Sequence, residues 1–342
     1  MKRRKAILAL CVVSALVFSL AACASDGSGP GATGGEGGTV AISVWTMEWD
    51  FFQQMTVGAK VAAEERGREI IIHDIKSDQT EQISGAENLF NQGIEAYVIS
   101  PFAPDAMPPI VDQAHSMDIP VVISDIGTGG SNHDGFIVSD NYGGGVMNGE
   151  YAVKMYDEMG LTEKTYVLLR SPPEAEVSQQ RNNGAASILD AAGFTCLAEI
   201  HTNDTTEVGY ATMMDVLAAH PDVSIVVCGE DQTAAGAGQA LVDAGRSGDF
   251  IVTGFDASDQ GIEGLLNGTI TSTIQQFPYD MGYIAMNLAL DIAEGKTVTY
   301  SDAATKEVHI DVFLVTKDNS VANVSDQLVS ITGLTRRDIG MD

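Results

Sequence analysis

Cations are scarce in this chain: 18 Lys and Arg stand against 47 Asp and Glu, leaving a formal net charge of −29. So acidic a surface repels nucleic acid and anionic lipid head groups, and excludes both as partners. Cysteine is nearly as sparse. Cys11 and Cys23 fall in the opening stretch, which leaves Cys196 and Cys228. Two thiols make no disulfide framework and are expected to be buried and free. The histidines (His73, His115, His133, His201, His220, His309) show no HxxxH or Cys/His spacing, so neither a metal site nor a cofactor is expected. Aromatics make up only 6% of residues, but hydrophobic residues reach 44%, ample for a folded protein and incompatible with general disorder.

The one long apolar run lies at the start. Lys2, Arg3, Arg4 and Lys5 precede Ala6–Ala22, which ends in Leu20-Ala21-Ala22-Cys23. A bilayer span needs about 20 apolar residues, so this shorter run with charged start and small-residue end reads as a removable export signal. The position of Cys23 resembles the lipobox of bacterial lipoproteins, whose cysteine is diacylated and becomes the first residue. That resemblance implies a signal over 1–22, a lipid anchor on Cys23 and an extracytoplasmic protein held at the bacterial membrane. Residues 23–39, rich in Gly and lacking large apolar groups, form a flexible tether.

From Val40 onward, short β-rich runs alternate with longer helical patterns. The first series has runs at 40–45, 69–74, 96–100 and 120–124; the second has runs at 165–170, 195–200, 223–228 and 250–255, at near-equal spacing. Amphipathic segments at 51–65, 81–91, 144–158 and 232–243 separate them. The pattern predicts an α/β protein of two similar lobes, each a parallel sheet flanked by helices. Phe136–Asn141, Thr271–Gln275 and Glu307–Val315 read as crossings between lobes, together a multistranded hinge. The expected N-terminal lobe is 40–139 plus 277–305 and the C-terminal lobe 140–276 plus 306–320. Residues 321–342 form a polar tail with no assigned role.

Ligands of open parallel sheets sit beyond the carboxyl ends of the strands. There the sequence delivers Trp49, Phe51 and Phe52 after the first strand, Asp125 after the fourth, then Glu230, Asp256 and Gln276 in the second half. Carboxylates accept hydroxyl hydrogen bonds, amides donate and accept, and aromatic faces cover the C–H face of a sugar ring. Some of these residues have structural alternatives: a Phe of the pair in the core, Asp125 or Asp256 as turn formers, Glu230-Asp231 as a helix cap.

These segments resemble the type I periplasmic binding proteins, in particular the ribose and galactose receptors of sugar ABC importers. The likeness spans 40–316 and rests on Phe51-Phe52, Ile119-Pro120-Val121-Val122-Ile123-Ser124-Asp125, Ser139-Asp140-Asn141, Ala219-His220-Pro221-Asp222-Val223 and Val252-Thr253-Gly254-Phe255-Asp256. It implies ligand contacts at Phe51, Phe52, Asp125, Asp256 and Gln276. It also implies a monosaccharide or polyol as ligand, an ABC permease as partner, a monomer, and no enzymatic activity. Departures bear on the substrate. Trp49 replaces a family Asn, Ile126 and Gln179 stand where pocket arginines occur, Asp204 aligns near a covering aromatic, and Glu230 replaces a pocket Asn; Arg181 matches a second family arginine. The expected pocket of Asp125, Glu230 and Asp256, without a compensating arginine, would have raised carboxyl pKa values. That leaves an amino sugar or another cationic small molecule as the alternative ligand, and a ligand-loaded sensor as the alternative role. An exported glycosidase using Glu230 and Asp256 is disfavoured, since no nucleophile elbow or HExxH motif occurs.

Overall fold

A computed structural model of the chain describes residues 37–173, 175–320 and 326–341. The export signal, Cys23 and all but the end of the tether lie outside the described residues. Two six-stranded sheets organise the rest. The first contains β1 (Thr39–Val44), β2 (Glu69–Asp74), β3 (Tyr97–Ile99), β4 (Val121–Ser124), β5 (Gly135–Ser139) and β11 (Glu307–Ile310), in the order β11-β5-β4-β3-β1-β2. The second contains β6 (Thr165–Arg170), β7 (Thr195–His201), β8 (Ile225–Cys228), β9 (Ile251–Thr253), β10 (Ser272–Gln275) and β12 (Phe313–Thr316), in the equivalent order β12-β10-β9-β8-β6-β7. All pairings are parallel except β12 on β10, which is antiparallel. The expected doubling of a βα unit is therefore observed, with one edge strand reversed.

Parallel strands covered on both faces should be apolar throughout, and β1 is: Val40, Ala41, Ile42 and Val44 are all fully buried. Val40, Ile42 and Val44 face one layer, with Met55, Ala59 and Ala62 of α1 (Asp50–Glu65) and Met281 and Ala285 of α9 (Pro278–Ala293). Ala41 faces the other, with Phe90 of α2 (Gln79–Asn91) and Ile110 of α3 (Met107–Ser116). The second sheet is covered in the same way by α4 (Asn141–Met159), α5 (Glu176–Ala191), α6 (Thr206–Ala219), α7 (Asp231–Asp243) and α8 (Asp259–Asn267). Local chemistry starts several helices: Asp78, Asp140, Thr205 and Ser258 each accept a backbone N–H of the first turn. Cys196 and Cys228 are both unpaired, Cys228 buried and Cys196 partly so. Among the described residues no helix is long and apolar enough to cross a membrane.

The chain passes between lobes three times. It leaves the first sheet after β5 into α4, and returns after β10 into α9, which packs on β3, β4 and β5. The third passage differs from expectation. Glu307–Ile310 pairs with β5 in the first sheet, and only Phe313–Thr316 joins the second. The expected boundary at 306 thus falls between Ile310 and Phe313. The segment read as a tail is also built in, over its described part. Gln275 donates to the Leu328 carbonyl at 2.6 Å, and Gln327 donates to the Ala257 carbonyl. Ser330 Oγ and the Ile331 amide both donate to Asp280 at 2.7 Å. Arg336 reaches Asp50 of the first lobe at 2.6 Å and Asp259 of the second at 3.4 Å.

Helices α1 and α9 approach so closely that only glycine fits at their crossing. A Cβ on Gly282 would lie 1.9 Å from the Met55 carbonyl oxygen, and one on Gly58 would lie 1.9 Å from that of Tyr279. Gly282→Ala is expected to push the helices apart and destabilise the protein by about 1–3 kcal/mol, read as a lower urea midpoint with little change in slope.

Candidate functional site

The carboxyl ends of the two sheets present different surfaces. From the first lobe comes an aromatic wall. Trp45, closing β1, packs against Trp49, Phe52 and Phe102 with ring centroids 5.2, 6.2 and 5.4 Å away. Trp49 stacks on Phe52 at 5.9 Å, and Phe51 meets Phe52 edge-on at 5.3 Å. Phe52 is only 2% exposed and belongs to the core, Phe51 is partly buried against it, and Trp49 is 49% exposed. Of the aromatic residues expected at the site, Phe52 thus serves as backing, while Phe51 and Trp49 keep accessible surface. Trp45 and Phe102 complete the wall. Neither was among the expected ligand contacts, although the Trp45–Trp49 spacing at the end of a strand is a signal for the first.

Asp125 and Asp256 occupy matching places in the two lobes. Each follows the fourth strand of its sheet, and each amide donates to the neighbouring strand: Asp125 to Ile137 at 2.8 Å, Asp256 to Ile274 at 2.7 Å. Both have left-handed backbone, φ 73° and 105°, an uncommon state for a residue with a Cβ and one that concentrates at functional sites. Asp204, after β7, shares it at 57°. They are turn formers, as the alternative reading allowed, but the turn aims carboxylates at a common centre.

That centre is Arg181. Its side chain, on α5, is 6% exposed. Nε donates to Asn141 Oδ1 at 2.8 Å, and Nη1 donates to the Gly229 carbonyl at 3.1 Å. Nη1 also lies 3.4 Å from Asp256 and 3.6 Å from Glu230, and the guanidinium sits 4.1 Å over the Phe255 ring. The expectation of a pocket without a compensating arginine is therefore wrong. Losing cations at 126 and 179 does not empty the cleft of positive charge, because α5 turns Arg181 inward two residues after Gln179.

One guanidinium does not balance four carboxylates. Burial pushes the Asp125 carboxyl up to about 7, with Asp256 adding to the rise and Arg181 opposing it. Burial raises Asp204 to about 6. Glu230 is raised well above the ordinary range by burial and by Asp204 and Asp256. Burial alone would lower the Arg181 pKa, but the fields of Asp256, Glu230, Asp125 and Asp204 outweigh it and raise it. Raised carboxyls were expected from mutual repulsion; burial is the larger cause, and the neighbouring carboxylates add to it.

The remaining residues divide by role. Gln276 donates from Nε2 to Asp256 at 2.6 Å, while its buried Oε1 has no partner. Gln179 commits its amide to the Ser171 and Pro172 carbonyls at 3.1 and 2.9 Å, which ties down the loop after β6. Glu230 occupies the N-cap position of α7 without a cap bond. The structural work falls to its neighbour Asp231, fully buried and accepting from Thr273 Oγ1 at 2.6 Å and from the Ser258 amide and hydroxyl at 2.7 and 3.0 Å. Among the described residues no group of His, Cys, Asp and Glu is arranged to hold a metal ion.

Known proteins place this architecture. Residues 40–297 match the periplasmic binding protein domain, and the chain belongs to that family. The ribose import binding protein RbsB of Bacillus subtilis is 30% identical over 260 residues, covering 76% of this chain and 83% of that protein. A D-ribose/D-allose-binding protein of Pseudomonas aeruginosa is 28% identical over 293 residues, 80% and 88% of the two chains. Among solved structures, a carbohydrate transporter solute binding protein from Agrobacterium radiobacter, in complex with D-arabinose, superposes with a TM-score of 0.71 at 27% identity, covering 82% of this chain and 95% of that one. The family works outside the cytoplasm, in keeping with an exported chain.

A carboxyl whose pKa is raised on folding contributes stability that is full below its unfolded pKa and lost as pH rises through the folded one. For Asp125 that window runs from about 4 to about 7. Asp125→Asn, which carries no titrating group, is expected to gain roughly 2–4 kcal/mol on the unmodified protein across it. Urea unfolding at pH 4 and pH 7.5 measures the difference, roughly the two ends of the titration.

Proposed function

We propose that this protein captures a monosaccharide or polyol between its two lobes outside the cytoplasm and hands it to the permease of an ABC importer. The observation that carries the reading is the convergence, at the carboxyl ends of two equivalent sheets, of Asp125, Asp204, Glu230, Asp256, Gln276 and Arg181 beside an aromatic wall that includes Trp49. Hydroxyls find acceptors among the carboxylates and a donor in the guanidinium, and a ring face finds Trp49 and Phe51. A family built to bind solutes, with relatives named for ribose and allose, supports it.

Three chain passages let the lobes turn about a hinge. A solute that touches both lobes stabilises the closed arrangement and shifts the population towards it. The closed form then offers a surface of both lobes to the permease. Glu230 and Asp256 share one guanidinium, an arrangement suited to holding hydroxyls rather than to the separate acid and nucleophile of a glycosidase. Acylation of Cys23 keeps a monomer near its membrane partner; two or more acyl chains are needed for durable anchoring.

A thermal-shift panel of pentoses, hexoses and polyols on the purified chain tests the capture. The bound sugar is expected to stabilise by about 2.7 kcal/mol when present at a hundred times its Kd, and Asp256→Ala is expected to abolish the shift. A panel without any shift argues against sugar capture. Cys23→Ala is expected to move the protein from the membrane fraction to the soluble one, and retention on the membrane would remove the lipid anchor from the account.

A further inference from the structure

Hydrogen-bonding capacity in the cleft is lopsided. Its donors are largely committed to protein acceptors: Arg181 Nε to Asn141, Arg181 Nη1 to Gly229, Gln276 Nε2 to Asp256 and Gln179 Nε2 to backbone carbonyls. Among the described residues Arg181 Nη2 donates no hydrogen bond to the protein. Acceptors are left in excess. No donor among the described residues reaches the Asp125 or Glu230 carboxyl within hydrogen-bond distance. Asp125 is 5% exposed, and the only ion partner of Glu230, Arg181, stands 3.6 Å away. The Oε1 of Gln276, a residue 2% exposed, is also without a partner and belongs to the amide that holds Asp256.

Neither carboxylate has a structural task that explains it. Glu230 stands where a helix cap would, yet makes no cap bond, and Asp231 next to it carries the tertiary contacts. Asp125 holds a left-handed backbone at φ 73° without a side-chain bond in return. The Glu230 side chain keeps 21% of its surface exposed, so water can serve it in the open cleft; burying these acceptors under a solute without new partners is costly, and the solute must supply them.

We propose that the captured solute is a sugar bearing a protonated amine, and that Glu230 is the residue that selects it. This rests on the sugar-capture reading and narrows it. An ammonium brings three donors and no acceptor, the complement of a site rich in unpaired acceptors. It offsets one negative charge where four carboxylates face one guanidinium, while ring hydroxyls engage Arg181 Nη2 and Asp125. A neutral sugar supplies fewer donors and brings no counter-charge when the lobes close. Trp49, half exposed on the aromatic wall, presents a face that also favours a cation.

Isothermal titration of the purified chain at neutral pH with D-glucosamine, D-galactosamine and D-mannosamine tests the proposal, against the parent hexoses, D-ribose and the N-acetyl derivatives. At least one hexosamine is expected to bind about tenfold or more tighter than both its parent and its N-acetyl form. Glu230→Gln keeps the shape of the side chain and removes its capacity to ionise against an ammonium. It is expected to shrink that preference to about threefold or less, with an unfolding midpoint showing that the variant is folded. Equal or tighter binding of neutral sugars overturns the amine and leaves sugar capture standing. An amine preference unchanged in Glu230→Gln overturns the role of Glu230. Binding of no sugar of either kind overturns both readings.

Discussion

A single guanidinium, withdrawn from water, holds the acidic groups of both lobes within one field. Arg181 is anchored to neutral acceptors, the Asn141 side chain and the Gly229 carbonyl, and rests on the Phe255 ring. Its position is thereby set by these contacts as well as by the carboxylates around it. Those neutral contacts matter physically. A cation positioned only by its counter-ions would lose its contacts as they titrate or bind, whereas this one also has neutral partners. Because Asn141 opens α4 at the first passage between lobes, the same bond joins the binding residues to the hinge.

Around this centre the two halves of the chain repeat each other. The sheets have equivalent strand orders, and their fourth strands end in aspartates of the same unusual backbone conformation. Duplication puts like charges face to face, which a symmetric pocket would have to resolve by protonation or by a cation. Asymmetry enters through the side chains. The first lobe contributes aromatic rings at the end of β1, while the second contributes the arginine, Glu230 and Asp204. The first lobe therefore presents an apolar face and the second a polar, charged one.

Much of this was legible in the residues. Spacing of apolar runs revealed the two βα series, because strands covered on both faces carry unbroken apolar runs and helices do not. Asp125, Glu230, Asp256 and Gln276 were legible because a strand end is a fixed point in such a fold. Arg181 was harder. It lies within a helix, and whether a helical residue faces the cleft or the solvent depends on the helix's rotation, set here by close contact of α4 and α5 rather than by any local pattern. The boundary near 306 failed for a related reason: a short alternating run suits either sheet, and only partner strands decide. Residues 326–341 carry no periodic signal, since their hold comes from individual hydrogen bonds.

Those last residues matter beyond their size. Arg336 bonds one aspartate at the start of α1 and another at the start of α8, on opposite lobes, while Ser330 and Ile331 fasten the same segment to α9. Any motion that separates Asp50 from Asp259 must break at least one of these bonds. Residues 326–341 therefore form a tie between the two lobes in this arrangement. The strength of that tie can drift through evolution, or be tuned by substitution, without altering any side chain that meets the solute, so how readily the lobes part and what they recognise are separable properties of this protein.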